Sequence, residues 1–280
     1  MDEDDDLARA LDLVAARLAG ARRLLVGTGA GMSADSGVPT YRAPGQRGWR
    51  DYGVTDGQRP EDLACPQALE ERPAEAWAFL ERRRREVSAA EPHAGYAALH
   101  RLAARTEAFV QTTNVDGLHL RAGWPAARLH EVHGSLWRLQ CAGPCSRRVW
   151  DEPRVPLCAL DDVGVRALDR PRCPDCGRPA RPHALLFADL DYVGAPAAEE
   201  ARRAFHAAGP DVVLVVGESG VIPTHLHDAA TLRRERGAFV VNVNPAPPPT
   251  GTLGPDVHLP LPARDAMVRL AEQVFGGGGG

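Results

Sequence analysis

Apolar positions along the chain follow two periods. Over residues 7–20 ("LARALDLVAARLAG") they recur at helical spacing and stop at a glycine, which predicts an amphipathic helix. "RLLVG" follows as a short, wholly apolar strand running into a glycine-rich loop. Continuous apolar runs predict further strands over 108–113, 211–217, 238–244 and 256–261. Helical spacing fills 94–104, 197–208, 224–236 and 264–275. β-Branched strands that alternate with helices imply an α/β fold, a parallel sheet covered on both faces.

Two segments break this rhythm. Residues 43–90 are rich in Pro, Gly, Arg and Trp before they settle into the helix "PAEAWAFLERRRREV". Its arginine run is expected to form a solvated helix face. Residues 140–181 hold five of the six cysteines and many prolines. Both segments read as insertions into the main domain. The closing "GGGGG" cannot pack and is expected to be a disordered tail, 276–280.

Composition narrows the classes. A charged fraction of 25% with a net charge of -4 gives no support to nucleic-acid or membrane-surface binding. No apolar run approaches the roughly 20 residues of a membrane span, and the acidic start "MDEDDD" is unlike a secretion signal. A cytoplasmic location is the expectation. There is no lysine, so all 33 basic residues are arginine and none can form a Schiff base.

The loop "GTGAGMSADSGVPTYRAPG" (27–45) carries Gly27, Gly29 and Gly31, close to the dinucleotide fingerprint but not identical with it. Glycines after a buried strand let backbone N–H groups approach a pyrophosphate. No strand-ending acidic residue stands some 20 positions on, where a dehydrogenase holds the ribose. On the loop alone, a nucleotide site and a structural turn both remain open.

The rest of the chain adds ordered motifs. "GAGMSADSGVPTYR" (29–42), "TTNVDGLHLRAG" (112–123) and "HEVHGSLWRLQC" (130–141) are followed by two cysteine pairs, "RPHALLF", "VGESGVIP" and "NVNP". Together these closely resemble the sirtuin (Sir2) family of NAD-consuming protein deacylases, from about Leu24 to the last strand. The resemblance implies a Rossmann-like parallel sheet with a small zinc-binding module and a helical insertion. It divides the chain into a nucleotide domain (1–43, 91–139 and 182–275), a cofactor loop with helical insertion (44–90) and a zinc module (140–181).

It also implies the chemistry. NAD is a co-substrate that is cleaved, nicotinamide and O-acyl-ADP-ribose are released, and the lysine of an acylated protein or peptide is freed. His133 matches the catalytic base, a role that suits an imidazole with an ordinary pKa near ~6.5. Asn114 and Asp116 match the N-x-D pair at the nicotinamide ribose, although Asn, Asp and the following Gly117 would equally suit a turn. Gly29, Ala30, Gly31, Ser33, Tyr41 and Arg42 match the phosphate, ribose and nicotinamide contacts of the first block, and Thr113 stands beside the N-x-D pair. Ser219 and Asn242 match positions near the adenosine-side phosphate and ribose.

Cys141 and Cys145 form C-x3-C, and Cys173 and Cys176 form C-x2-C. Four thiolates suit a closed, structural zinc site; disulfides and a redox pair are the alternatives. Cys65 and Cys158 receive no role.

Several positions depart from the family pattern. Thr113 replaces a glutamine, Thr40 an aspartate, and Phe187-Ala188-Asp189 and Gly217-Glu218-Ser219 stand for F-G-E and G-T-S. A carboxylate at Glu218 is expected to repel a pyrophosphate, and Ala188 to narrow the peptide groove. Leu80 and Glu81 occupy the tyrosine slot of desuccinylase-type members, which leaves a preference for acidic acyl groups unsupported. The competing functions are an NAD glycohydrolase or ADP-ribosyltransferase on the same fold, and a catalytically silent NAD-binding sensor.

Overall fold

The computed structural model describes residues 3–40, 60–220, 222–248 and 254–276. Tyr41, Arg42, the stretch 44–59 and the last four glycines lie outside them. The chain opens with helix α1 (Glu3–Gly20) and strand β1 (Arg23–Thr28), then the one-turn α2 (Gly31–Ala34). Helices α3 (Pro66–Glu71), α4 (Pro73–Ala89) and α5 (Ala94–Ala103) precede β2 (Glu107–Thr112), α6 (Leu118–Arg121) and β3 (Leu129–Glu131). Strands β4 (Gly134–Cys141), β5 (Val149–Asp151) and β6 (Ala180–Ala184) come next. The chain closes with α7 (Pro196–Ala208), β7 (Val212–Val216), α8 (Thr224–Arg236), β8 (Phe239–Val243), β9 (Val257–Leu259) and α9 (Ala263–Gly276).

Six strands form one sheet in the order β3-β2-β1-β7-β8-β9, and every pairing in it is parallel. The expected α/β architecture is present. All five residues of β7 are buried, as a strand covered on both faces requires. One covering layer contains α1, α5 and α9, with Val14, Leu99, Met267 and Leu270 packed on Leu24, Val26 and Leu214. The other contains α7 and α8, with Phe205, Leu226 and Leu232 on Leu25, Phe109 and Val215. Between β1 and β7 the strand order reverses direction, and a crevice opens at the carboxyl ends of such neighbours. Helix boundaries follow local chemistry: Pro66, Pro73 and Pro196 begin α3, α4 and α7, and Gly237 with φ 70° ends α8.

A second, three-stranded antiparallel sheet has the order β5-β4-β6. It packs with α3 and α4 around Trp77, Phe79, Leu80, Leu139, Cys158 and Leu186.

The arginine run of α4 is not a solvated face. Arg83 and Arg84 are both buried, and the side chain of Glu81 has no exposure at all. Arg84 donates from Nη2 to the carbonyls of Glu152 (2.7 Å) and Arg154 (2.9 Å), and its guanidinium lies 5.1 Å from the Trp137 ring centroid. Arg85 reaches the Cys158 carbonyl at 2.9 Å. The run ties the helix to the loop between β5 and β6, whose backbone carbonyls need donors that an arginine fork supplies. No helix among the described residues is long and apolar enough to cross a membrane.

Candidate active site

The crevice is built from the loops that leave β1, β2 and β7. The first and third of these touch backbone to backbone. Gly29 N–H donates to the Val216 carbonyl (3.0 Å), and Gly31 N–H donates to the Gly217 carbonyl (2.9 Å). A Cβ on Gly31 would stand 2.6 Å from Gly217 Cα, and Gly217 itself has φ 68°. Glycine is therefore required on both sides of this contact. Ala30 is left exposed at the outer tip of the loop.

Behind that loop the polar groups form one hydrogen-bonded cluster. Ser33 Oγ donates to Asp116 Oδ2 at 2.6 Å, and Leu118 N–H donates to Asp116 Oδ1 at 2.9 Å. Asn114 spends its amide hydrogens on the Gly29 carbonyl (2.9 Å) and Ser33 Oγ (3.0 Å). This fixes the amide so that Oδ1 is the atom left to accept from a ligand. Asn114 and Asp116 lie in a turn after β2, as the alternative reading had it, yet both side chains are turned inward and buried. Burial raises the Asp116 carboxyl above its ordinary range; the Ser33 and Leu118 hydrogen bonds and the Arg83 cation oppose that rise.

His133 sits between β3 and β4. Its ring bonds to the Thr113 backbone, and burial lowers its pKa below the ordinary imidazole value. The imidazole is thereby neutral at pH 7 and oriented by a carbonyl, the state in which it takes up a proton. The glycine of "VHG" has a steric cause. Gly134 has φ 75°, and a Cβ there would fall 2.1 Å from the His183 carbonyl oxygen on β6.

Ala30, Ser33, Thr113, Asn114, Asp116 and His133 line one cavity of about 230 Å³. Its remaining wall is mostly apolar, with Val38, Phe79, Leu80, Val115, Leu136, Leu186 and Phe187. Arg83 is the exception. It was hidden in the arginine run, and only its helical spacing from Phe79 places it on the cavity side. Burial lowers its pKa to about 10, so it keeps its charge opposite Asp116.

Other expected residues stand apart. Ser219 is exposed and Asn242 is buried in β8, 3.3 Å from His258 Nδ1; neither lines this cavity. Tyr41 and Arg42 lie outside the described residues. Glu218 does not have the disposition expected of it. Its carboxylate accepts from His225 N–H (3.0 Å) and Leu226 N–H (2.8 Å) and caps the first turn of α8. Ala188 adopts φ 52°, the left-handed conformation that glycine takes without strain.

The four paired cysteines converge. Cys141 Sγ lies 3.7 Å from Cys176 Sγ, Cys145 Sγ lies 3.7 Å from Cys173 Sγ, and all four sulfurs fall within 4.8 Å of one another. A tetrahedral ion with Zn–S bonds of about 2.3 Å sets its sulfurs about 3.8 Å apart, so the group fits zinc. Disulfides are excluded, because all six cysteines are free. Arg178 draws the Cys176 thiol down to about 6, while the neighbouring sulfurs push Cys145 up to about 12, so the first proton leaves from the Arg178 side of the cluster.

The model of the Sir2 family matches residues 29–224. This chain belongs to the Sir2 family. It is 37% identical to the NAD-dependent protein deacylase 2 of Pyrobaculum aerophilum over 267 residues, 93% of this chain and 94% of that protein. It is 40% identical to the NAD-dependent protein deacylase of Deinococcus radiodurans over 242 residues, 84% and 89% of the two chains. Among solved structures, a Sir2 homologue–NAD complex superposes with a TM-score of 0.77 at 26% identity, covering 99% of this chain and 95% of that one. A mutant Sir2 homologue with 2'-O-acetyl ADP ribose gives 0.76 at 28% identity, covering 99% and 98%. The four-cysteine cluster and the parallel sheet thus stand in a Sir2 protein.

Proposed function

We propose that this Sir2 protein is an NAD-dependent protein-lysine deacylase that consumes NAD and yields nicotinamide, O-acyl-ADP-ribose and the free lysine. One observation carries the reading: a neutral, oriented imidazole shares a cavity with an amide oxygen and a carboxylate at the strand ends. Its relatives from Pyrobaculum and Deinococcus bear the same activity in their names.

NAD supplies an activated glycosidic bond to nicotinamide, and the chain's own residues do the rest. Asn114 Oδ1 and the Asp116 carboxylate accept from the nicotinamide ribose and carboxamide. His133, held by Thr113, takes a proton from a ribose hydroxyl during acyl transfer. Gly29, Ala30 and Gly31 form the lip over the phosphates and Ser33 orders the polar groups behind it; Arg42 is assigned to the phosphates and Tyr41 to the nicotinamide on their motif alone. Ser219 and Asn242 serve the adenosine end. The apolar wall from Val38 to Phe187 takes the methylene stem of an acylated lysine and excludes water. Cys141, Cys145, Cys173 and Cys176 hold a structural zinc in the module at 140–181, while 1–43, 91–139 and 182–275 serve the nucleotide and 44–90 supplies the cofactor loop and helical insertion. The cytoplasm, which supplies NAD and keeps such thiols reduced, is the compartment that suits this chemistry.

The test is product analysis of the zinc-loaded protein with NAD, with and without an acetyl-lysine peptide. Peptide-dependent O-acetyl-ADP-ribose is the expected result. Peptide-independent ADP-ribose would instead establish a glycohydrolase, and nicotinamide under neither condition would leave only a binding protein.

A further inference from the structure

Tyr96, on α5, belongs to no motif singled out in the sequence and does not line the cavity. It is 2% exposed, with its ring edge-on to His119 at 5.0 Å and tilted against His93 at 4.9 Å. Its hydroxyl lies 3.0 Å from Ser33 Oγ. Proton counting gives that bond a direction. Ser33 has one proton and two acceptor positions. The proton goes to Asp116 Oδ2, which as a carboxylate can only accept, and Asn114 Nδ2 fills one acceptor position. The position that remains takes the phenol proton, so Tyr96 donates. The reverse order would leave that proton with no acceptor among the described residues. Burial keeps the phenol protonated and leaves both neighbouring imidazoles uncharged at pH 7, His119 with a pKa near 3.

We propose that Tyr96 is a positioning residue for NAD cleavage: its hydroxyl, donating to Ser33, fixes the hydrogen-bond order that presents the Asp116 carboxylate and the Asn114 amide oxygen to the nucleotide. The proposal rests on the deacylase reading for its kinetics, and on NAD binding alone for its thermodynamics. Without the phenol proton, Ser33 can turn its own hydrogen elsewhere, and Asp116 then loses a donor in a buried site. The carboxylate loses support and titrates at higher pH. The other charges that act on Asp116 are Arg83 from α4, Arg121 from α6 and Glu131 from β3, and a Tyr96 variant leaves all three in place.

A double-mutant cycle decides it, using Tyr96→Phe, Ser33→Ala and the double variant in the full-length, zinc-loaded protein. The readouts are NAD affinity by calorimetry, kcat and KM for NAD and for acetyl-lysine peptide, their pH profiles, and the melting temperature. Tyr96→Phe is expected to lower kcat/KM for NAD by about three- to tenfold, the worth of one buried hydrogen bond. The KM for peptide should be unchanged, and the acid limb for NAD should move to higher pH. In the Ser33→Ala background the same substitution should cost nothing further. Additive losses would overturn the proposal, as would intact kinetics and affinity with only a lowered melting temperature. If the wild-type protein releases no nicotinamide, the deacylase reading falls, and the same cycle in NAD affinity still decides the role of Tyr96.

Discussion

The two sheets of this molecule are stabilised by different means. The six-stranded sheet buries most of its strand residues between helical layers, and all five residues of β7 are buried. The three-stranded sheet has a half-exposed edge strand, β5, and two of its four clustered cysteines are exposed. Apolar burial dominates the first, while the second adds four thiols suited to a metal and the arginine contacts of α4. The catalytic candidate His133 lies where one passes into the other. A single chain can thus take its rigidity from apolar area in one region and from ligand bonds in the next.

The largest effect that would break this contrast is metal removal. Chelation or Cys173→Ser should lower the melting temperature of the whole protein by on the order of 10 °C or more, because metal binding and folding are coupled. An unchanged melting curve would mean that the small sheet stands on its own packing. Next comes the junction. His133→Ala should keep NAD binding and lose deacylation by about 10²–10⁴-fold; near-normal turnover would remove His133 from the mechanism. In the intact protein, the lowered His133 pKa keeps the ring neutral to lower pH, so its acid limb in kcat/KM should lie below the ordinary ~6.5. A limb at or above that value would contradict the burial of the ring.

Smaller effects sharpen each side. Glu218→Ala removes the α8 cap from the large sheet's covering layer and should cost about 1 kcal/mol, read as a fall of about 2–4 °C in melting temperature. A gain in stability would mean that the carboxylate's desolvation outweighs its two hydrogen bonds. Ala188→Gly, beside the small sheet, relieves a left-handed alanine. The net gain is at most about 1 kcal/mol, because glycine also loosens the unfolded chain. A destabilised variant would show that the alanine methyl packs better than its backbone suggests.

Legibility in the sequence followed the same division. Runs such as "VVLVV" are apolar because both faces are covered, so every long parallel strand was visible from pattern alone. The three-residue β3 was not, because "LHE" lacks the apolar run that made the equally short β9 visible within "DVHLPL". The motif residues of the cavity could be named in advance, but Tyr96 could not. Its role depends on α2, the turn after β2, and α5 meeting at one hydroxyl, a coincidence that no local spacing records. Arg83 and Arg84 misled for the opposite reason. A run of like charges normally marks water contact, and here the carbonyls that permit burial of Arg84 lie some 70 residues away, while Arg83 is met by Glu86 on its own helix and by the distant Pro39 carbonyl.

Strand β4 leaves the residue after His133 and ends at Cys141, a member of the sulfur cluster. These eight residues span roughly 25 Å, with a register shift against β6 between Ser135 and Leu139, the catalytic candidate at one end and a cysteine of the candidate zinc site at the other. An electrophile or oxidant that attacks the exposed thiols would act at the end of this strand remote from the imidazole. In an inhibitor screen such a compound would lower turnover while never entering the crevice, and a zinc-release assay would unmask it.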